Sequence, residues 1–222
     1  GAPGDPLYTF HGARAYAQLG HVVAAAGDVN ADGHADVLGC AFHRDRLHNP
    51  DETGAVFVYS GRDGSILRSF ESLARYDRFG DVADGAGDVD GDGFDDIIIG
   101  ANGASDPARP GSWLGAVYIY SGRSGQRIRT LYGWINDSGI GRAVAGAGDV
   151  DGDGFDDVLC GSRLFAGGNG ALMFDLAAAT TDSAEYKGNQ TGTSLSLADL
   201  VAFGGGDYYW RIDEVEADGT VQ

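Results

Sequence analysis

Residues 87–101 read GDVDGDGFDDIIIGA, and the fold follows from this stretch. Acids recur at every second position through Asp88, Asp90 and Asp92, followed by Gly93 and then by Asp96 leading directly into Ile97–Ile99. Glycine at the sixth position permits a sharp reversal with positive φ that a Cβ would oppose. The isoleucine run is β-branched and continuous, as expected of a strand covered on both faces. The segment therefore predicts an acidic hairpin loop that feeds a buried strand, with no helix on either side.

Two further copies align with it: GDVNADGHADVLGCA from Gly27 and GDVDGDGFDDVLCGS from Gly148. Their first aspartates, Asp28, Asp88 and Asp149, lie about 60 residues apart, a period long enough for one supersecondary unit. The second copy predicts four strands, over 66–70, 81–87, 96–101 and 115–121. Residues 7–10 precede Asp28 as 66–70 precede Asp88, so each unit is expected to begin with such a strand. The third copy carries GALMFDL from Gly170 as the shortened counterpart of GAVFVYSGRDG and GAVYIYSGRSG. Four strands per period describe a propeller blade, and three blades fit within residues 1–176. Propellers close with roughly four to eight blades, so an arc of three exposes two faces that need cover.

Each loop offers side-chain oxygen at its first, third, fifth and ninth positions. These are Asp28, Asn30, Asp32 and Asp36, then Asp88, Asp90, Asp92 and Asp96, then Asp149, Asp151, Asp153 and Asp157. Calcium takes six to eight oxygens, often with a backbone carbonyl among them. His34, Phe94 and Phe155 at the seventh position would supply that carbonyl, which leaves their side chains free to vary. Acidic turns without a cation are common singly. Three copies in register point to three calcium sites, because crowded carboxylates repel one another without a counter-charge. The twelfth position (Gly39, Ile99, Cys160) lacks the bidentate Glu of an EF-hand.

Bulk properties agree. Of 222 residues, 43% are hydrophobic and 38 are glycine, which suits a turn-rich packed domain. A formal net charge of -18 argues against nucleic acid and anionic membranes as partners. The chain does not begin with a signal-type segment, which leads us to expect a processed or excised product. Cys40 and Cys160 lie in apolar strand sequence of separate copies and are expected as buried thiols. None of the familiar hydrolase, metalloprotease or nucleotide-binding motifs occurs, and no enzyme activity is expected.

These loops, with Phe79-Gly80 before the second one and Gly100-Ala101 after it, resemble FG-GAP repeats of the integrin α-subunit propeller. Leu19-Gly20 and Ile140-Gly141 hold the equivalent places. The resemblance implies an all-β fold: a partial β-propeller of three four-stranded FG-GAP blades, plus a short β-rich C-terminal segment. It also implies structural calcium on one face and ligands on the opposite face. An extracellular or cell-surface location is expected from the calcium reading, because cytosolic free calcium is too low to fill weak loops of this kind. Residues 177–222, with Tyr208, Tyr209, Trp210 and Ile212 in one strand, resemble part of a fibronectin-type-III-like module.

The function expected is a calcium-binding adhesion or assembly module of a secreted, bacterial type. It would self-associate through its open blade faces or C-terminal strands, or bind other surface proteins. A carbohydrate-binding propeller accessory to a polysaccharide-active enzyme is the alternative. For either, Trp113, Trp134, Arg109 and Arg78 in the long loops and connectors form the expected ligand platform.

Overall fold

The computed structural model describes residues 6–12, 18–42, 54–72, 74, 76–133 and 140–175, together with the backbone of 194–196 and 209–211. All regular structure among them is β. The first sheet runs β1 (Leu19–Gly27), β2 (Asp36–Phe42), β3 (Gly54–Tyr59) and β4 (Ile66–Glu71). The second runs β5 (Phe79–Gly87), β6 (Asp96–Ala101), β7 (Ala116–Tyr120) and β8 (Arg127–Tyr132). The third runs β9 (Val144–Gly148), β10 (Asp157–Cys160), β11 (Arg163–Phe165) and β12 (Leu172–Asp175). Each sheet is an antiparallel meander in chain order. A separate pair, β13 (Ser194–Ser196) with β14 (Tyr209–Arg211), lies in the tail and is also antiparallel. The strand expected around Tyr209 and Trp210 is thus present, while Tyr208 and Ile212 lie outside the described residues.

Two expectations are corrected. The strand at 66–70 does not open the second unit; it closes the first, hydrogen-bonded to β3. The blade therefore begins at the strand that enters the acidic loop and ends with its outer strand. GALMFDL is not the counterpart of GAVFVY either. It supplies β12, the fourth strand, whereas β11, only three residues long, is the third. The reason lies in the preceding loop. Between β10 and β11 only Gly161 and Ser162 remain, so the third strand follows at once.

A register shift sits just before every acidic loop, at Ala25/Gly27, at Gly85/Gly87 and, opposite Asp157/Val158, between Gly146 and Gly148. Gly27, Gly87 and Gly148 are all left-handed there, with φ of 76°, 73° and 70°, the conformation that a glycine bulge requires.

The sheets stack face to face, with β1 against β5 and β5 against β9. One core lies between the first two, built from Leu38, Val56, Val58 and Phe70 against Phe79, Ile97 and Ile99. The other joins Val89, Ile98, Val117 and Ile119 to Ile140, Val158, Cys160 and Phe165. Alternation along β6 thus sends Ile97 and Ile99 to one neighbour and Ile98 to the other. Cys40 and Cys160 are free and buried in different cores, and burial pushes both thiols up to about 12.

Polar side chains lace the sheets along the edge that carries the acidic loops. Arg68 of β4 donates to the carbonyl of Arg123 in the β7–β8 turn. Arg129 of β8 donates to the carbonyls of Gly167 (2.6 Å) and Gly168 (3.2 Å) in the β11–β12 turn. Tyr8 repeats the pattern, giving its hydroxyl to the carbonyl of Arg62 at 2.6 Å. Phe10 stacks on Tyr59 at 4.0 Å, as Phe70 lies on Tyr120 at 4.5 Å. Residues 8–10 therefore touch the first sheet as β4 touches the second.

Candidate metal centres

Each loop is wound tightly around its first aspartate. Asp28 accepts the amides of Asp32 (3.0 Å) and Gly33 (2.8 Å). Asp88 accepts those of Asp92 (2.9 Å) and Gly93 (2.8 Å), and Asp149 those of Asp153 (3.1 Å) and Gly154 (3.0 Å). The fifth aspartates accept the amide two residues on, from His34, Phe94 and Phe155. These bonds fix the first and fifth aspartates of each loop. Gly33, Gly93 and Gly154 adopt φ of 84°, 85° and 91°, so the reversal expected at the sixth position is present.

In the second loop Asp88, Asp90 and Asp92 bring carboxylate oxygens within 4.8 Å of one another, and in the third loop Asp149, Asp151 and Asp153 do the same. That donor set suits a hard cation. The residues fit calcium chemically: all donors are oxygen, and the cluster is partly open to water. Asp90 is held above the usual carboxylate range, by burial and by its neighbours Asp92 and Asp88. A divalent ion offsets that repulsion.

The first loop differs. Asn30 stands between Asp28 and Asp32, and its amide donates to Asp32 at 3.2 Å. The Nδ1 of His34 lies 3.1 Å from Asp32 Oδ1, so a protonated His34 would form an ion pair with the fifth ligand. Ala31 takes φ of 54° where the other loops have Gly91 and Gly152.

Asp36, Asp96 and Asp157, at the ninth position, are buried at 1%, 0% and 0% exposure. Asp36 accepts the amides of Val29 and Gly61, both at 3.0 Å. Asp96 accepts Val89 (2.9 Å) and Gly122 (3.0 Å), and Asp157 accepts Val150 (2.8 Å) and Gly167 (2.9 Å). The ninth aspartate therefore ties the loop entrance to the turn between third and fourth strands. Each oxygen retains a lone pair that can face a cation. Burial, then repulsion from Asp90 and Asp92, pushes Asp96 up to about 7.

Sequence reasoning overlooks the eighth position. Asp95 Oδ2 accepts the amide of Asp28 at 2.6 Å, and Asp156 Oδ2 accepts that of Asp88 at 2.8 Å. Each thus caps the loop of the sheet before it. The return bonds run from the amides of Asp95 and Asp156 to the carbonyls of Asp28 and Asp88. A signal does exist: adjacent acids in a strand-like segment point to opposite sides, so a pair cannot serve one centre.

The expected ligand platform is partly described. Trp113 is 56% exposed, in the loop between β6 and β7. Arg109 shares that loop, its Nε 3.1 Å from Asp106, and Arg78 is exposed in the β4–β5 connector. The amide of Gly103 donates to the carbonyl of Asp77, which brings loop and connector together. Trp134 lies outside the described residues.

Comparison with known proteins agrees with this architecture. Residues 80–120 match the family model of the FG-GAP repeat. The chain is 34% identical to integrin alpha-5 of Xenopus laevis over 172 residues, covering 70% of this chain and 16% of that protein. It is 31% identical to integrin alpha-4 of Xenopus laevis over 170 residues, again spanning 16% of the relative. Among solved structures it is similar to the rhamnogalacturonan lyase YesW, with a TM-score of 0.45 and 20% identity, covering 69% of this chain and 30% of that one.

Proposed function

We propose that this chain, an FG-GAP repeat protein similar to the integrin α subunits, is an extracellular adhesion module that uses calcium as a structural ligand. The observation that carries the reading is the convergence of Asp88, Asp90 and Asp92, and of Asp149, Asp151 and Asp153, each within 4.8 Å. Asp28, Asn30 and Asp32 form a third, weaker site. The carbonyls of His34, Phe94 and Phe155 complete each shell, with the ninth aspartates behind. Residues 1–176 act as the repeat domain and 177–222 as an added β segment. The calcium has no chemical role; it stiffens the loops that join the sheets.

Partners are other surface proteins, met along the edge opposite the acidic loops, where Trp113, Arg109 and Arg78 lie. Assembly also engages the open ends of the arc. Isothermal titration with calcium tests the reading: we expect two similar sites and one weaker site. Asp92→Asn should remove one strong site, and Asp32→Asn the weak one. Titration without heat, in protein that has been freed of metal and remains folded, would sink the proposal.

The exposure of Trp113 favours a second reading, saccharide recognition on the loop edge. Binding to a glycan array that Trp113→Ala abolishes, with calcium affinity unchanged, would support it over protein adhesion.

A further inference from the structure

We infer that neighbouring acidic loops are coupled through the eighth-position aspartates, so that filling one loop with calcium raises the affinity of the loop beside it. This rests on the calcium reading and adds to it how the sites act on one another.

Two joints carry the coupling. At the first, Asp95 of the second loop accepts the amide of Asp28 at 2.6 Å and gives its own amide to the Asp28 carbonyl at 3.4 Å. At the second, Asp156 of the third loop accepts the amide of Asp88 at 2.8 Å and returns its amide to the Asp88 carbonyl at 3.0 Å. Both peptide groups that flank Asp28 or Asp88 are thus held from the next sheet. Gly27 and Gly87 make room for the incoming carboxylate, since a Cβ on either would collide with it.

The residue that is held is the one around which its loop is wound. Asp28 and Asp88 accept the amides of the fifth and sixth positions of their own loops. The residue that does the holding is equally well placed. Asp95 and Asp156 stand between the seventh residue, whose carbonyl completes the shell on the calcium reading, and the buried ninth aspartate. When the later loop is filled, the residues on both sides of the eighth position are fixed. A rigid carboxylate and amide then face the first aspartate of the earlier loop. That loop loses less conformational entropy on filling, which is positive cooperativity without a change of shape. Linkage makes the effect reciprocal.

The joints are unequal. At the second, the ring of Phe155 also covers Gly91, the fourth residue of the loop behind it, and the return bond is shorter than at the first. The second and third loops are therefore the more strongly coupled pair. The sign of the effect is diagnostic, because repulsion between two divalent ions would weaken the second site to fill.

Calcium titration of the 15N-labelled chain tests this, read at the amides of Gly33, Gly93 and Gly154, one in each loop. Asp153→Asn should disable the third loop and weaken the second, whose own ligands are intact, by at least about fivefold. Asp92→Asn should weaken the third loop by a similar factor. With Asp156→Ala already present, adding Asp153→Asn should change the second loop by less than about twofold. Unchanged or tighter binding at Gly93 in Asp153→Asn would overturn the coupling and leave the calcium reading standing. So would a fivefold effect that persists without Asp156. Titration that shifts none of the three amides would remove both. Should Asp156→Ala not fold, Asp156→Asn decides, since it keeps an acceptor for the Asp88 amide and loses the charge. Coupling should survive in it, and its loss there would assign the effect to charge and overturn the joint as the link.

Discussion

The second and third sheets start from nearly the same sequence, GDVDGDGFDDIII against GDVDGDGFDDVLC, yet they sit in different surroundings. Every residue of β6 is buried, whereas β10 keeps Leu159 partly exposed. The strand is the same; the neighbour is not. A blade of this kind completes its apolar burial against the sheet that follows it, so its stability belongs to the joint as well as to the repeat.

The largest expected effect exploits that difference. Ile98→Ala should cost roughly 3–4 kcal/mol in urea denaturation, as for other fully buried aliphatic truncations, and Leu159→Ala only about 1 kcal/mol. Equal losses would mean that the third sheet is covered after all.

Calcium removal comes next. Each filled site contributes about 2.7 kcal/mol when calcium stands at a hundred times its dissociation constant. Chelation should therefore lower the melting temperature, and Asp92→Asn should blunt that drop more than Asp32→Asn. The metal-free protein carries a pH signature too. Asp96 titrates at about 7 in the fold, against about 3.9 in an unfolded chain. Its stabilising contribution is therefore complete below the lower value and lost as pH rises through the higher one. In chelator, melting should fall from pH 4 toward pH 8, and calcium should flatten that slope. A rise instead would show that this carboxyl is not held neutral.

Smaller effects probe the joint and the first loop. Asp95→Ala should destabilise by about 2 kcal/mol, the scale of a hydrogen bond to a charged group. Ala35→Asp in the full chain should stay within about 0.5 kcal/mol of wild type, because the side chain meets no preceding sheet. Ala31→Gly should stabilise by about 1 kcal/mol, by releasing a left-handed alanine. Thermal denaturation resolves all three, and similar values for Asp95→Ala and Ala35→Asp would erase the distinction between inner and end positions.

Much of this is legible in the amino-acid sequence. Alternating acids with a glycine at the sixth position mark the loops, because few other arrangements require both at once. Ile97–Ile99 announces a doubly covered strand for the same kind of reason. The phase of the repeat is not legible. A period of about 60 residues is cyclic, so Ile66–Glu71 is equally well spaced to end one sheet or begin the next, and only hydrogen bonding decides. β11 escapes notice because three residues around Leu164 carry too little alternation to register as a strand. Asp95 and Asp156 are visible as acids, but their partners lie in another repeat, and a single strand does not reveal its neighbour. Trp113 is recognisable as a loop residue, yet its exposure depends on how the β6–β7 loop lies.

The ties from Arg68, Arg129, Asp36, Asp95 and their equivalents all end at one rim of the arc. The opposite rim holds the β2–β3 and β6–β7 connections, long in the first two sheets and reduced to Gly161-Ser162 in the third. Insertions or deletions there leave the stitching untouched. Selection, or an engineer, can rewrite those loops one repeat at a time without touching the ties at the other rim.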